Sequence, residues 1–92
     1  MITAIVMIGA ERQRIPATAE ALLAIPEVKE VYSVTGEYDL VAIVRVKEYE
    51  ALADVVTSRF AAISAVTSTR TMVAFQCYSR KDMEAIWSIG LD

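Results

Sequence analysis

Histidine is missing from the chain altogether, and with it go the commonest general base, the usual nucleophilic triad and most zinc sites. A single cysteine, Cys77, leaves no partner for an internal disulfide, which fits a reducing, cytoplasmic setting. No apolar run approaches the ~20 residues needed to cross a bilayer. No basic residue precedes Ile2–Ile8 and no cleavage signature follows, so the N-terminus does not read as a secretory leader. Lysine and arginine (9) are outnumbered by aspartate and glutamate (12), and a net charge of −3 argues against direct binding to a nucleic-acid backbone. A glycine-rich phosphate loop is absent too. Glu37 with Asp39 and Asp82 with Glu84 are carboxylate pairs spaced i, i+2, with no nucleophile placed beside a base. The residues thus predict no catalytic group, no metal site and no cofactor.

What the chain does have is apolar residues. They make up 55% of 92 positions, an excess for one small domain with a modest core. In a chain that does not enter a membrane, such an excess predicts a further buried surface, most simply between copies.

The stretch from Val31 to Val46 organises the rest. It reads as strand, tight connection, strand: Val28 to Thr35, then Leu40 to Val46, with Gly36 and Asp39 between them. Ahead of it, Ile2–Ile8 is a first strand, apolar on both parities apart from Thr3. Gly9 to Arg14 reads as a polar connection. A helix then starts near Ile15-Pro16, with an apolar stripe of Ile15, Ala19, Leu22 and Leu23, and stops before Pro26. Beyond the hairpin, a second helix from about Glu48 to Ile63 aligns Leu52, Val56, Phe60 and Ile63. A long fourth strand follows from Val66 to about Tyr78. Ser79, with Asp82 three residues on, predicts the cap of a short final helix through Met83, Ile86 and Trp87.

A repeat at a spacing of 38 residues fixes the topology. Ala4-Ile5-Val6 recurs as Ala42-Ile43-Val44, and Ala24-Ile25-x-x-Val28 recurs as Ala62-Ile63-x-x-Val66. Two matches at one offset mean a βαβ unit written twice. Joined, such units give an α+β, ferredoxin-like βαββαβ sandwich, a four-stranded antiparallel sheet with both helices on one face. Because neighbours on a strand alternate, Ile5 and Met7 cannot share the helix side with Ala4, Val6 and Ile8. The other face then needs a cover, and a second copy of the sheet is the simplest. The competing cover is the final helix folding back.

Gly36-Glu37-Tyr38-Asp39 is the leading candidate site. Free backbone amides there suit a carboxylate, and Asp39 suits an ammonium, together a small zwitterion. Equally, hairpin turns select glycine and aspartate for conformational reasons alone. Thr67, Thr69 and Thr71 share a parity of the fourth strand and either line a pocket or simply favour a strand. Arg70 is expected to pair with Glu30 or Glu37 or to hold an anion. Tyr32, Tyr38 and Trp87 suit ligand stacking or an interface, and Cys77 reads as inert.

Val34-Thr35-Gly36-Glu37-Tyr38-Asp39, running straight into an apolar strand, resembles the signature of the Lrp/AsnC ligand-binding domain, also called the RAM domain. Ile25-Pro26-Glu27-Val28 and Val66-Thr67-Ser68-Thr69-Arg70-Thr71 match that pattern as well. The resemblance covers residues 1–78, leaving 79–92 as a C-terminal helical extension. It implies a dimeric α/β barrel that packs through its sheets and assembles into tetramers or octamers. It also implies amino-acid binding between dimers at the turn, with Gly36, Tyr38 and Asp39 as ligand-binding residues and Thr69 and Thr71 facing the same cleft. The chain starts directly in the first strand, so the resemblance is to a stand-alone RAM protein. Any effect on transcription would then pass through a helix-turn-helix partner of the Lrp type. The competing class is a small dimeric α+β-barrel enzyme, a cofactor-independent monooxygenase or isomerase, which shares the fold. A polar pocket enclosed between sheet and helices would favour that enzyme.

Overall fold

Alternation along the strands decides the two faces of the sheet. Residues 1–80 are described by the structure, a computed structural model. In β1 (Ile2–Ala10), Ala4, Val6 and Ile8 are fully buried while Thr3, Ile5 and Met7 are half-buried. In β3 (Leu40–Val46), Leu40, Ala42 and Val44 are fully buried and Val41 and Ile43 half-buried. These two strands pair antiparallel with Ile5 opposite Ile43. β2 (Val28–Ser33) adds to the outer side of β3 and β4 (Val66–Ala74) to the outer side of β1, giving the order β2-β3-β1-β4.

One face carries the helices. After a single 3-10 turn at Arg12–Arg14, α1 (Ile15–Leu23) begins with Pro16 in its first turn, where the absent N–H costs nothing. It buries Leu22 and Thr18, and the Thr18 hydroxyl donates to the Arg14 carbonyl at 2.6 Å. Thr18 lies among apolar residues because that hydrogen bond satisfies it. Leu23, expected in the stripe, is instead 50% exposed; the buried face centres on Thr18 and Leu22, with Ile15 and Ala19 beside them. α2 (Tyr49–Asp54) runs on as a wider π-type turn over Val55–Phe60. The wider turn moves the inward positions to Leu52, Val55 and Phe60, leaving Val56 and Ile63 at the margin of the core. Together with Val6, Ile8, Leu40 and Val44 these side chains form one core, each worth about 1.5–3 kcal/mol when fully buried. The result is the α+β, split-βαβ sandwich that the repeat predicts.

The repeated corners fold alike. Ile25 N–H donates to the Leu22 carbonyl and Val28 N–H to the Ile25 carbonyl, both at 3.0 Å. In the second half, Ile63 N–H donates to the Phe60 carbonyl at 3.1 Å and Val66 N–H to the Ile63 carbonyl at 3.0 Å. The edge strands break this symmetry: Val28 pairs with Val44, whereas Val66 pairs with Ala10.

Several expected boundaries shift. β1 continues through Gly9 and Ala10, because β4 supplies them with partners in Ser68 and Val66. β2 stops at Ser33 and β4 at Ala74. Arg70 cannot reach Glu30 within one chain, because β4 and β2 form opposite edges, roughly 14 Å apart at three strand spacings, and it forms no ion pair with Glu37. The helix expected through Met83, Ile86 and Trp87 lies outside the described residues.

Candidate functional site

The β2–β3 connection, residues 34–39, is closed by Val34 N–H donating to the Asp39 carbonyl at 3.0 Å. Among the described residues, the amides of Thr35, Gly36, Glu37 and Tyr38 find no backbone carbonyl partner, so the loop presents a run of donors. Gly36 has φ of +109°, and a Cβ there would meet nothing within 4 Å. Its glycine is therefore selected by conformation rather than by space. Gly36→Ala is expected to cost about 1 kcal/mol of stability, read as a lowered urea midpoint at unchanged slope.

Asp39 is the best-anchored member. Its own N–H donates to the Ile8 carbonyl at 3.0 Å, and its Oδ2 accepts from the Ala10 N–H at 2.8 Å. One residue thus latches the loop onto the C-terminal end of β1, where sequence spacing gave no hint of a contact. Glu11 N–H next door donates to the Ala65 carbonyl at 3.0 Å, extending that latch to the start of β4. Gly9 lies in the same corner: a Cβ there would come within 2.5 Å of the Ser68 Oγ and 2.9 Å of the Thr67 Oγ1. Gly9 was not singled out from sequence, since nothing local marks so close a strand crossing.

Thr69 pairs with Ile8 and Thr71 with Val6, so both project from β4 on the helix side, and both are exposed. Thr69 lines a groove of about 230 Å³ with Val56, Ala61, Val66, Thr67 and Ser68. Gly36, Tyr38, Asp39 and Thr71 are not part of that groove. Asp39 and Thr69 share the Ile8 position of β1 as neighbour; Tyr38 is half-buried and Gly36 exposed at the loop tip. A single chain therefore sets these groups at one end of the sheet without closing a pocket around them.

The opposite face has its own character. Ile5, Met7, Val41 and Ile43 lie half-exposed at its centre, with Tyr32 (49% exposed) and Met72 (46%) towards the edges. A groove of about 480 Å³ there is lined by Thr3, Ile5, Tyr32, Ile43, Arg45 and Phe75, among others. At its rim the Tyr32 hydroxyl donates to Glu30 Oε2 at 3.0 Å. That hydrogen bond, then the Glu30 charge, then slight desolvation hold the phenol above its ordinary pKa. Cys77 is exposed beside this groove. Between sheet and helices, where an enzyme of this fold would need a polar pocket, the space is filled by Val6, Ile8, Leu22, Leu40 and Phe60. Arg59 lies at the margin of that core, with its guanidinium 2.8 Å from Glu27, tying the π-type turn to the α1–β2 corner. Among the described residues no cluster of potential metal ligands occurs and no helix is long and apolar enough to cross a membrane.

A model of the Lrp/AsnC ligand binding domain matches residues 3–83. The chain belongs to the Lrp/AsnC family. This Lrp/AsnC domain is similar in structure to the Thermus thermophilus protein TTHA0845, at 50% identity and a TM-score of 0.80, over 87% of this chain and 100% of that one. It is also similar to the hypothetical protein PHS023 from Pyrococcus horikoshii, at 32% identity and a TM-score of 0.77, over 87% of this chain and 96% of that one. A longer relative is the feast or famine regulatory protein of M. tuberculosis, solved in complex with L-methionine. It is 32% identical with a TM-score of 0.71, and the match covers 87% of this chain but 54% of that one. No curated protein matches the chain.

Proposed function

We propose that this Lrp/AsnC domain is an amino-acid-sensing module that dimerises through the uncovered face of its sheet and binds its ligand at a seam between dimers. The observation that carries this reading is the 34–39 loop, where amides without backbone partners stand beside the anchored carboxylate of Asp39. Donors for a carboxylate and an acceptor for an ammonium, both within one short loop, are what a zwitterion requires. The complex of the M. tuberculosis relative with L-methionine supports the same ligand class. In this reading Gly36, Tyr38 and Asp39 supply one wall of the seam, and Thr69 and Thr71 supply hydroxyls from the neighbouring edge. Ligand at a seam favours whichever assembly it binds more tightly, so occupancy shifts the balance between dimers and larger rings. Transcription is reached through co-assembly with a helix-turn-helix protein of the Lrp type.

The test is a thermal-shift series with each standard amino acid on three proteins. A ligand at a hundred times its Kd adds roughly 2.7 kcal/mol of stability, which raises Tm by more than about 10 °C in a domain of this length. Asp39→Asn retains an acceptor for the Ala10 N–H but loses the charge, so it is expected to fold normally and lose the response. Asp39→Ala loses both, lowering the starting Tm as well. An unaltered response in Asp39→Asn, or no response to any amino acid in the wild type, overturns the proposal.

A further inference from the structure

The groove on the open face of the sheet lies where the chain leaves that sheet. Its floor is Thr3, Ile5 and Ile43; Glu30 and Tyr32 of β2 form one wall, and residues 74–77, at the end of β4, form the other. Phe75 on that wall is fully exposed, a large apolar side chain with no cover among the described residues. Two charged side chains line the groove, Glu30 and Arg45. Glu30 is held by the Tyr32 hydroxyl at 3.0 Å. Arg45, opposite Thr3 on central β3, is exposed and forms no ion pair with any described residue. An apolar floor thus lies beside one uncommitted cation.

The sequence continues past Arg80, the last described residue, with a segment of complementary character. Met83, Ile86 and Trp87 recur at helical spacing and Ile89 and Leu91 follow them. From residue 82 onward there are three acids (Asp82, Glu84 and Asp92) and no base. The span matched to the family stops at residue 83, so Ile86 and Trp87 lie outside it. Trp87 follows Arg80 by seven residues, up to about 23 Å of extended chain, enough to return across a wall made by residues 74–77. A tether so short gives the segment an effective concentration on the order of millimolar at the groove, which a separate partner would have to match.

We infer that residues 82–91 dock in the groove of their own sheet, with Trp87 against Ile5, Ile43 and Phe75 and the acids of the segment beside Arg45. The docked segment covers Ile5 and Ile43, which are also the middle of the face assigned above to a second copy. Docking and dimerisation therefore exclude each other, and the segment is a built-in competitor for assembly. Both copies must vacate their grooves, so a groove free about a third of the time weakens dimerisation about tenfold. The competition rests on the sheet-to-sheet dimer proposed above; the docking does not.

Trp87 is the chain's only tryptophan, which makes it the probe. In the full chain diluted until it is monomeric, acrylamide is expected to quench Trp87 several-fold less than free N-acetyltryptophanamide. Quenching should rise as the chain is concentrated into dimers, and Arg45→Glu should restore most of it in the monomer. Full accessibility of Trp87 in the wild-type monomer overturns the docking. Shielding that appears only on dimerisation places the segment on the other copy and overturns it equally. Sedimentation equilibrium of Trp87→Ser is expected to show dimerisation tightened about tenfold; an unchanged or weaker dimer overturns the competition. A wild type that stays monomeric at every concentration with Trp87 shielded overturns the dimer and supports the docking, so the two readings fail separately. Crosslinking requires no monomer. In a Cys77→Ser background, Thr3→Cys with Ile86→Cys is expected to close a disulfide within one chain under mild oxidation, and links only between chains, or none, overturn the assignment.

Discussion

Replacing Phe60 by alanine is expected to remove about 3–5 kcal/mol of stability, the largest loss from any single truncation in this domain. Phe60 is fully buried and is the largest of the wholly enclosed side chains. It closes the π-type turn, and its carbonyl accepts the Ile63 N–H that starts the second corner. A cavity there is bounded by strand residues that cannot collapse without disturbing the ladder, so little relaxation offsets the lost contacts. Against a total of about 5–15 kcal/mol for a natural domain, the variant retains a marginal fold. Leu23→Ala, by contrast, removes a half-exposed side chain and should cost under about 1 kcal/mol. Chemical denaturation of the two variants checks both values. Similar midpoints for the two would mean that the helix faces are assigned wrongly.

Ile43→Asp is expected to produce a folded monomer, with the dimer dissociation constant raised by more than about a hundredfold. Ile43 lies at the centre of the uncovered face, opposite Ile5, and is half-buried in the single chain. In a two-fold pairing a substitution counts twice, and an aspartate there places two carboxylates in a dry contact without partners. Solvent reaches the site in the monomer, so the fold itself should survive with an unchanged circular dichroism spectrum. Light scattering that still gives the wild-type mass would exclude this face as the interface.

Much of this architecture was legible because the residues that specify it act locally. The apolar runs Ile2–Ile8 and Leu40–Val46 alternate in burial as their period demands, and the 38-residue repeat shapes the corners at Ile25 and Ile63 alike. What escaped depends on partners far along the chain. Gly9 and Ala10 have no strand propensity of their own and are strand only because β4 lies alongside. Thr18 lies inside because its hydroxyl reaches back one turn, a bond that a pattern of apolar residues does not register. The widened turn at Val55–Phe60 displaces the helical stripe by one position, which a fixed 3.6-residue period cannot anticipate. At the site, the turn and the need for glycine at residue 36 were readable, since turn chemistry is local, although the second strand stops two residues sooner than the sequence suggests. The bond from Asp39 to the Ala10 amide spans 29 residues, and only the assembled sheet reveals it.

The broken symmetry of the two halves carries a consequence for how such pairs arise. Were the halves perfect copies, each domain would own an internal two-fold axis normal to its sheet. Both ways of stacking two domains would then be geometrically interchangeable, one axis generating the other. The central strands nearly obey that rule, but the edge strands depart from it, with Val28 set against Val44 and Val66 set against Ala10. In a sheet-to-sheet dimer of the kind proposed, this difference between the edge strands makes the two stackings unequal.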